Sequence, residues 1–475
     1  NIMRILVTGA TGYIGSRLFP RLLAEGHQIN VLVRDPNQLK YVDWNLNVTV
    51  SIGDVRDKKT LYTALESADI AYYLIHSMRS SSKVFHQHDM DAAESFGEVA
   101  ASMSTRIIFL GALGNPHSLL TSHLLSRHAT GEALAKYHAT VTELRAGPVI
   151  GAGSLPFEMI RYLTERIPVM ICPKWVFTRV QPIGIRDTLE YLISALNLQH
   201  NEHQVIEIGG STVLSYGDMM TEYAKARGLR RAMIRVPVLT PRLSSYWVHW
   251  VTPLKASFAR PLVEGLKSEV IVSNLFAHDI FPNIQPLEYR DAVHEALMDL
   301  HPHYFQDAPI DQSSMAKSVL RGMIIETRKV ETNLKSGQIF DAFCSLGGDN
   351  GWYMNWGWRL RAFVDKLFGG IGLRKGRPSN LLSIGDAVDF WRVQKLVPNS
   401  RLLLHAEMKV PGKAWLEFKI EQNKDALIFV QKSYFAPKGL IGLAYWYALL
   451  PIHRVVFDGL AKRVIKMAEN SPKCN

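Results

Sequence analysis

Cysteine is scarce in this chain: Cys172, Cys344 and Cys474 are the three among 475 residues. Their odd number and wide spacing exclude a disulfide framework and a Cys/His zinc module, and they suit a reducing compartment. Also missing is a run of about 18 uninterrupted apolar residues that would span a bilayer. The nearest approach, Gly439 to Leu450, is cut off by Pro451, His453 and Arg454. The first strand begins almost at residue 1, leaving no room for a signal peptide, so a cytoplasmic location is expected. No G-x-S-x-G elbow supplies a hydrolase nucleophile, and no H-E-x-x-H supplies a zinc helix. His86 and His88 are two residues apart, not the three or four that put two ligands on one helical face, so even with Asp89 and Asp91 nearby no metal is expected.

What is present is glycine in a telling place. Met3-Arg4-Ile5-Leu6-Val7 is an apolar strand that runs into Thr8-Gly9-Ala10-Thr11-Gly12-Tyr13-Ile14-Gly15, after which Ser16 to Glu25 is amphipathic and Ile29 to Val33 is a second strand. This is a β-α-β unit whose glycine turn presents backbone N–H groups and a helix N-terminus to a dinucleotide pyrophosphate. The turn residues Gly9, Thr11, Gly12, Tyr13, Ile14 and Gly15 are therefore cofactor-binding candidates. The second strand ends at Arg34, where an acidic residue would accept from the ribose 2′-hydroxyl of NAD. An arginine there suits the 2′-phosphate instead, so NADP(H) is expected, with NAD(H) as the alternative, and Lys40 is a second phosphate candidate.

Alternating strands and helices continue. Strands at Val48–Ile52, Ile70–Ile75, Ile107–Leu110 and Thr140–Arg145 predict a doubly wound parallel sheet, an α/β Rossmann domain. Ligand in such sheets lies at the carboxyl edge, which puts Asp54 and Val55 near the adenine and Ile75 and His76 near the ribose and pyrophosphate. The strand Val205–Ile208, the helix Tyr216–Arg227 and the strand Met233–Val236 are expected to form a smaller substrate lobe, beside which Tyr246 to Val251 adds an aromatic cluster.

Charge separates a second domain. Residues 326–475 carry 23 Lys and Arg against 13 Asp and Glu, a net +10 of the chain's +11. Such a surface suits an anionic lipid or an acidic protein; without zinc-finger spacing or a dense basic helix, no nucleic-acid partner is expected. The predicted division is 1–305 for the nucleotide domain with its lobe over about 150–300, a linker at 306–325, and a domain over 326–475. That last domain reads as an aromatic-rich helix carrying Phe340, Phe343, Trp352, Trp356, Trp358 and Phe363, then strands alternating through Leu404–Val410, Ala414–Ile420 and Ala426–Phe435, then an apolar segment Leu440–Met467 interrupted by Pro451.

T-G-A-T-G-Y-I-G at residues 8–15, G-D-V-R-D at 53–57 and L-R-A-G-P-V-I-G at 144–151 resemble the atypical and extended short-chain dehydrogenase/reductase (SDR) superfamily. The resemblance implies that Gly147 to Val149 lie near the nicotinamide and that Gly111 ends the strand that carries a catalytic hydroxyl in active members. It also exposes a departure. Active members use a tyrosine with a lysine four residues later; here His123 stands at the tyrosine position, Arg127 at the lysine position, and Gly111-Ala112-Leu113 replaces the hydroxyl. Arg127 suits ribose or phosphate, while His123 or His128 would be the proton donor if catalysis persists.

The order of elements after residue 326 is similar to the START-like (SRPBCC-type) helix-grip fold, an α+β arrangement in which a curved sheet wraps the last helix around an apolar cavity. The whole chain also resembles bacterial SDR-type proteins with an uncharacterised domain of this kind, through G-W-Y at 351–353, G-D-A-V-D-F-W-R-V at 385–393 and Y-W-Y-A-L-L-P-I-H at 445–453. These readings together imply an NADP(H)-binding oxidoreductase acting on an apolar carbonyl or quinone-like compound, with peripheral contact to an anionic membrane. The alternative is a non-catalytic NADP(H) sensor or a lipid or quinone carrier. Oligomeric state is left open.

Overall fold

The computed structural model describes residues 2–35, 48–75, 83–114, 122–137, 139–236, 268–273, 276–305, 315–358, 377, 382–423 and 426–470. Lys40, His76, the cluster Tyr246–Val251, Phe363 and Cys474 lie outside the described residues. The chain divides into two compact units, residues 1–299 and 300–475.

The first unit is built on β1 (Arg4–Thr8), α1 (Gly15–Ala24), β2 (Gln28–Val33), β3 (Val48–Ile52), α2 (Lys58–Leu65), β4 (Ile70–Tyr73), α3 (Lys83–Ser102), β5 (Arg106–Ala112), α4 (Ser122–Ala135) and β6 (Val141–Ala146). Further on come β7 (Val149–Ile150), α5 (Leu155–Arg166), β8 (Val169–Pro173), β9 (Arg179–Val180), β10 (Ile183–Gly184), α6 (Ile185–Ser194), β11 (Gln204–Ile208), β12 (Leu214–Ser215), α7 (Tyr216–Arg227) and β13 (Ala232–Val236). Seven strands pair in parallel in the order β11-β6-β5-β4-β1-β2-β3. The order reverses between β1 and β4, the place where doubly wound sheets open a crevice for ligand.

The central strands are apolar on both faces because both faces are covered. Ile5, Val7, Ile108 and Leu144 pack into the core that takes Leu18, Phe19 and Leu22 of α1 and Leu189 and Leu192 of α6. Leu6, Tyr73, Phe109 and Val141 face Leu61, Phe96 and Leu134 of α2, α3 and α4. Each large side chain so buried stabilises the sandwich by about 1.5–3 kcal/mol before chain entropy is counted.

One assignment changes. The strand at 204–208, expected in the substrate lobe, is the edge strand of the main sheet, with Ile206 opposite Leu144 of β6. Ile206 and Ile208 are buried in the same core as α1 and α6, which fixes the strand there. The lobe is made instead from short pairs, β7 with β10, β9 with β12 and β8 with β13, around a core that α5 and α7 supply with Phe157, Met219 and Tyr223. Helix α7 is as read: Ser215 caps it in a reciprocal box with Asp218, and Gly228 at φ +61° ends it.

The second unit is an antiparallel sheet of β14 (Met315–Leu320), β15 (Met323–Thr332), β16 (Ala387–Val388), β17 (Trp391–Val397), β18 (Arg401–Ala406), β19 (Gly412–Asn423) and β20 (Ala426–Pro437), in the order β14-β15-β20-β19-β18-β17-β16. Residues 315–325, assigned to the linker by sequence, belong to the β14–β15 hairpin. The aromatic segment is not one helix. A helix spans Ser336–Cys344, then Gly347 and Gly348 at φ +88° and +56° turn the chain before a 3₁₀ turn at Gly348–Asn350. β18 stops at Ala406 rather than Val410.

The chain ends its described part in one helix, Gly439–Glu469, and Pro451 does not break it. The proline forfeits one backbone bond, yet beyond it Val456, Phe457, Leu460, Ala461, Val464 and Ala468 are all buried against the sheet and the helix Ser336–Cys344, and that packing outweighs the loss. By length and composition this helix is sufficient to cross a membrane, contrary to the expectation drawn from the interrupted run.

Candidate functional site

The glycine turn follows β1 at the carboxyl edge of the sheet. Gly9 has φ +70°, and a Cβ there would stand 2.7 Å from the Leu74 carbonyl oxygen at the end of β4. A Cβ on Gly15 would be 2.3 Å from the Gly9 oxygen, so only glycine lets α1 start this close beneath the turn. Gly12 donates its N–H to the Gly9 oxygen at 2.9 Å, Thr11 and Gly12 are exposed, and Ile14 is the residue before the first helical turn. The turn is thus a cradle of backbone at a helix N-terminus, free of side chains at the points of closest approach, and it fits a pyrophosphate.

Tyr13 joins this turn to the segment after β6. A Cβ on Gly151 would lie 2.3 Å from the Tyr13 hydroxyl, and Arg17 stacks on the Tyr13 ring at 4.0 Å while donating to the backbone carbonyl oxygens of Tyr13 and Ala152 at 3.1 and 3.0 Å. Two motifs far apart in sequence, at residues 8–15 and 144–151, are therefore one structure. Gly147 is equally constrained: a Cβ would stand 1.9 Å from the Gln181 carbonyl oxygen. Val149, half-buried in β7, follows directly.

At the end of β2 Arg34 is exposed. Asp54, beyond β3, accepts two bonds from Arg56 at 3.0 and 2.7 Å. The Arg56 bond, helped by the charge of Arg34, holds its carboxyl below the usual carboxylate range. The Gly53 N–H bonds the Val33 oxygen at 2.9 Å, so Arg34 and Asp54 follow at adjacent strand ends, and Arg56 is a further cation there that the motif reading passed over. Val55 is buried and Ile75 half-buried beyond β4.

Helix α4 is held to the end of β5 by two side chains proposed from sequence for chemistry. His128 puts Nε2 at 3.0 Å from the Ala112 carbonyl oxygen; a carbonyl only accepts, so this nitrogen carries the proton. Burial, then the charge of Arg145, pushes its pKa down, which keeps the ring neutral near pH 7. Arg127 donates to the Leu110 carbonyl oxygen and lies over the Phe109 ring at 4.9 Å; burial pushes its pKa down to about 10, still a cation at neutral pH. The proton that His128 would have to give is therefore engaged with a backbone carbonyl, a correction to its placing as a donor. His123 lies in the first turn of α4, and its side chain is outside the described residues.

Beneath this edge is a charged cluster that the sequence did not announce. Glu143 of β6 is fully buried, with Arg145 at 2.6 Å and His203 at 2.9 Å on its two oxygens. Burial raises its pKa, but these donors more than reverse the effect, and it is held below the ordinary range. Gly111 and Gly131 abut its carboxylate, where added Cβ atoms would come within 3.0 and 2.1 Å. A partner 60 residues away leaves no local pattern to find.

Two cavities need placing. One of about 570 Å³, lined by Arg4, His27, Gln28 and Glu66 among others, opens at the amino ends of β1 and β2, the edge opposite the glycine turn, so it is not assigned to the dinucleotide. In the second unit a cavity of about 30 Å³ lies among Trp391, Trp415, Ser433, Tyr434 and Trp446. That is room for one or two waters, not for the lipid-sized ligand expected of a helix-grip cavity. Among the described residues no cluster of three or more His, Cys, Asp or Glu forms a metal site.

Residues 9–149 match the family model described as NAD(P)H-binding, and residues 323–460 match one described as a protein of unknown function, DUF2867. The first unit thus combines a parallel Rossmann-like sheet with a segment that matches an NAD(P)H-binding family. Among curated proteins it is similar to a ceramide reductase of Caulobacter vibrioides, 24% identical over 192 residues, 40% of this chain and 60% of that protein. It is also similar to sterol demethylase protein B of Methylococcus capsulatus, 37% identical over 71 residues, 15% of this chain and 21% of that protein. The chain thus spans less than two thirds of these relatives. An NADPH-dependent quinone oxidoreductase of Escherichia coli solved with NADPH shares the fold, with a TM-score of 0.50 and 18% identity over 62% of this chain and 99% of that one.

Proposed function

We propose that the protein is an NADPH-dependent reductase of an apolar carbonyl compound. The observation that carries this reading is the joining of the Gly9–Gly15 cradle to Gly151 through Tyr13, with Arg34 beside Asp54 at the end of the second strand. In this reading the turn and the α1 N-terminus hold the pyrophosphate, Arg34 pairs with a 2′-phosphate, Asp54 and Val55 flank the adenine, Ile75 and Gly111 border the riboses, and Gly147 and Val149 border the nicotinamide. When bound, the nicotinamide supplies a hydride to the carbonyl carbon. The chain's own part is to place that carbon and to deliver a proton to the oxygen, a role we give to His123 on α4. Arg127, a half-buried cation, fixes the ribose side of α4, and His128 positions the helix through Ala112. The names of the two curated relatives, a ceramide reductase and a sterol demethylase protein, favour a lipid-like substrate. For the second unit the order strand, helix, meander, long helix favours a helix-grip relationship.

A second reading, an NADP(H) sensor or lipid carrier without turnover, is favoured by the engagement of Arg127 and His128 with backbone carbonyls. Turnover decides between them. NADPH oxidation assayed against long-chain ketones, enones and quinones should be substrate-dependent, and His123→Ala should lower it about 10²-fold or more. Tight NADPH binding with no turnover across the panel would leave the sensor.

A further inference from the structure

The helix Gly439–Glu469 has two halves that face different surroundings. From Val456 onward its apolar residues are buried in the second unit's core and Lys462, Lys466 and Glu469 are exposed, the ordinary arrangement of a helix in water. The first half inverts it. Gly442, Trp446 and His453 face the sheet: Trp446 stacks on Phe435 with ring centres 5.1 Å apart, and a Cβ on Gly442 would stand 2.3 Å from the Pro411 oxygen. The opposite face shows Leu440, Ile441, Tyr447, Ile452 and Val455 to solvent, Ile441 at 76% exposure. Residues 439–453 contain no Asp, Glu, Lys or Arg. A contiguous exposed apolar stripe on a folded helix is costly in water and marks a surface that is covered in use.

Basic residues stand at both ends of the stripe. Lys438 precedes it, its N–H bonded to the Pro411 oxygen at 2.9 Å, and exposed Lys409 and Lys413 flank that same turn; Arg454 follows the apolar run. We propose that this half-helix is a membrane-docking face that lies in the interface of an anionic bilayer, its apolar stripe among the acyl chains and its terminal cations at lipid phosphates. The helix is apolar and long enough to span a bilayer, but its other face is packed on β20 and the core, which fits it to lie on the surface. A second copy of the chain is a poorer occupant: a twofold contact would bring the same basic ends together, in a region of net +10. The proposal does not depend on hydride chemistry in the first unit.

Flotation of the full-length protein with vesicles tests it. Binding is expected to phosphatidylcholine vesicles containing phosphatidylglycerol, weaker to phosphatidylcholine alone, and weakened by salt. Ile441→Asp with Ile452→Asp should lower the partition about 10-fold or more, and Leu440→Ser with Ile441→Ser should act in the same direction. Both variants change exposed positions, so helical content and NADPH affinity should stay at wild-type values, which separates this test from that of the reductase reading. Absence of vesicle binding at low salt, equal binding by the variants, or a dimer that the variants abolish without any vesicle binding would each overturn the proposal.

Discussion

Glu143 illustrates how much one buried charge organises. Its carboxylate is fixed by Arg145 and His203 and sits against Gly111 and Gly131. Removing one member of a buried pair strands the other, so Glu143→Ala should destabilise the first unit by about 3–5 kcal/mol, read as a shift in its denaturant midpoint. A shift no larger than that of an exposed substitution would show the cluster to be idle. His128 gives a pH signature. Its folded pKa is depressed by burial, so below the unfolded value of about 6.5 the unfolded chain takes up the proton first and stability falls with acidification. Stability should therefore decline between about pH 7.5 and about pH 5.5, and His128→Gln should decline less. His200, His301 and His405 are depressed for the same reason and act in the same direction, so the variant removes only part of the slope.

Elements were legible where a local pattern decides them. The strand, the glycine turn and α1 follow from consecutive residues, and the structure explains the glycines by contacts within the motif and with Leu74. Gly15→Ala should push the turn off α1 and weaken NADPH binding about 10-fold or more while the sheet persists, which a titration and a circular dichroism spectrum together would establish. Elements decided by distant packing were not legible. Nothing in Gln204–Ile208 says whether it joins the main sheet or the lobe; Ile206 and Ile208 settle it by burial in the main sheet's core, with the helix Phe276–Ile280 packed on the strand. Pro451 reads as a break because the core that holds the helix on its far side is built from other segments. Pro451→Ala should restore the missing bond and stabilise the second unit by about 1–3 kcal/mol, partly offset by a more flexible unfolded chain.

At the scale of the molecule, alternation misled in one respect. Trp415, Glu417 and Lys419 on β19 alternate with apolar residues as if they faced water, yet Glu417, Lys432 and Arg401 are buried, and Glu417 is paired with Arg401 and accepts from the Tyr434 hydroxyl at 2.5 Å. At these positions the sheet is buried on the face that polarity marks for water, which polarity alone does not reveal. Charge at long range did read correctly as a property of the second unit, and in the structure its basic residues border an apolar helix face.

Everything proposed for the first unit turns on the dinucleotide assigned to Arg34 in that reading. Calorimetric titration of the full-length protein with NADPH and NADH, repeated with Arg34→Ala, measures this directly. The account predicts tighter binding of NADPH, and a loss of about 10- to 100-fold for NADPH alone in the variant, the effect of one charge-assisted contact. Equal affinities for the two dinucleotides before and after the substitution would take Arg34 out of the site and the NADPH preference with it.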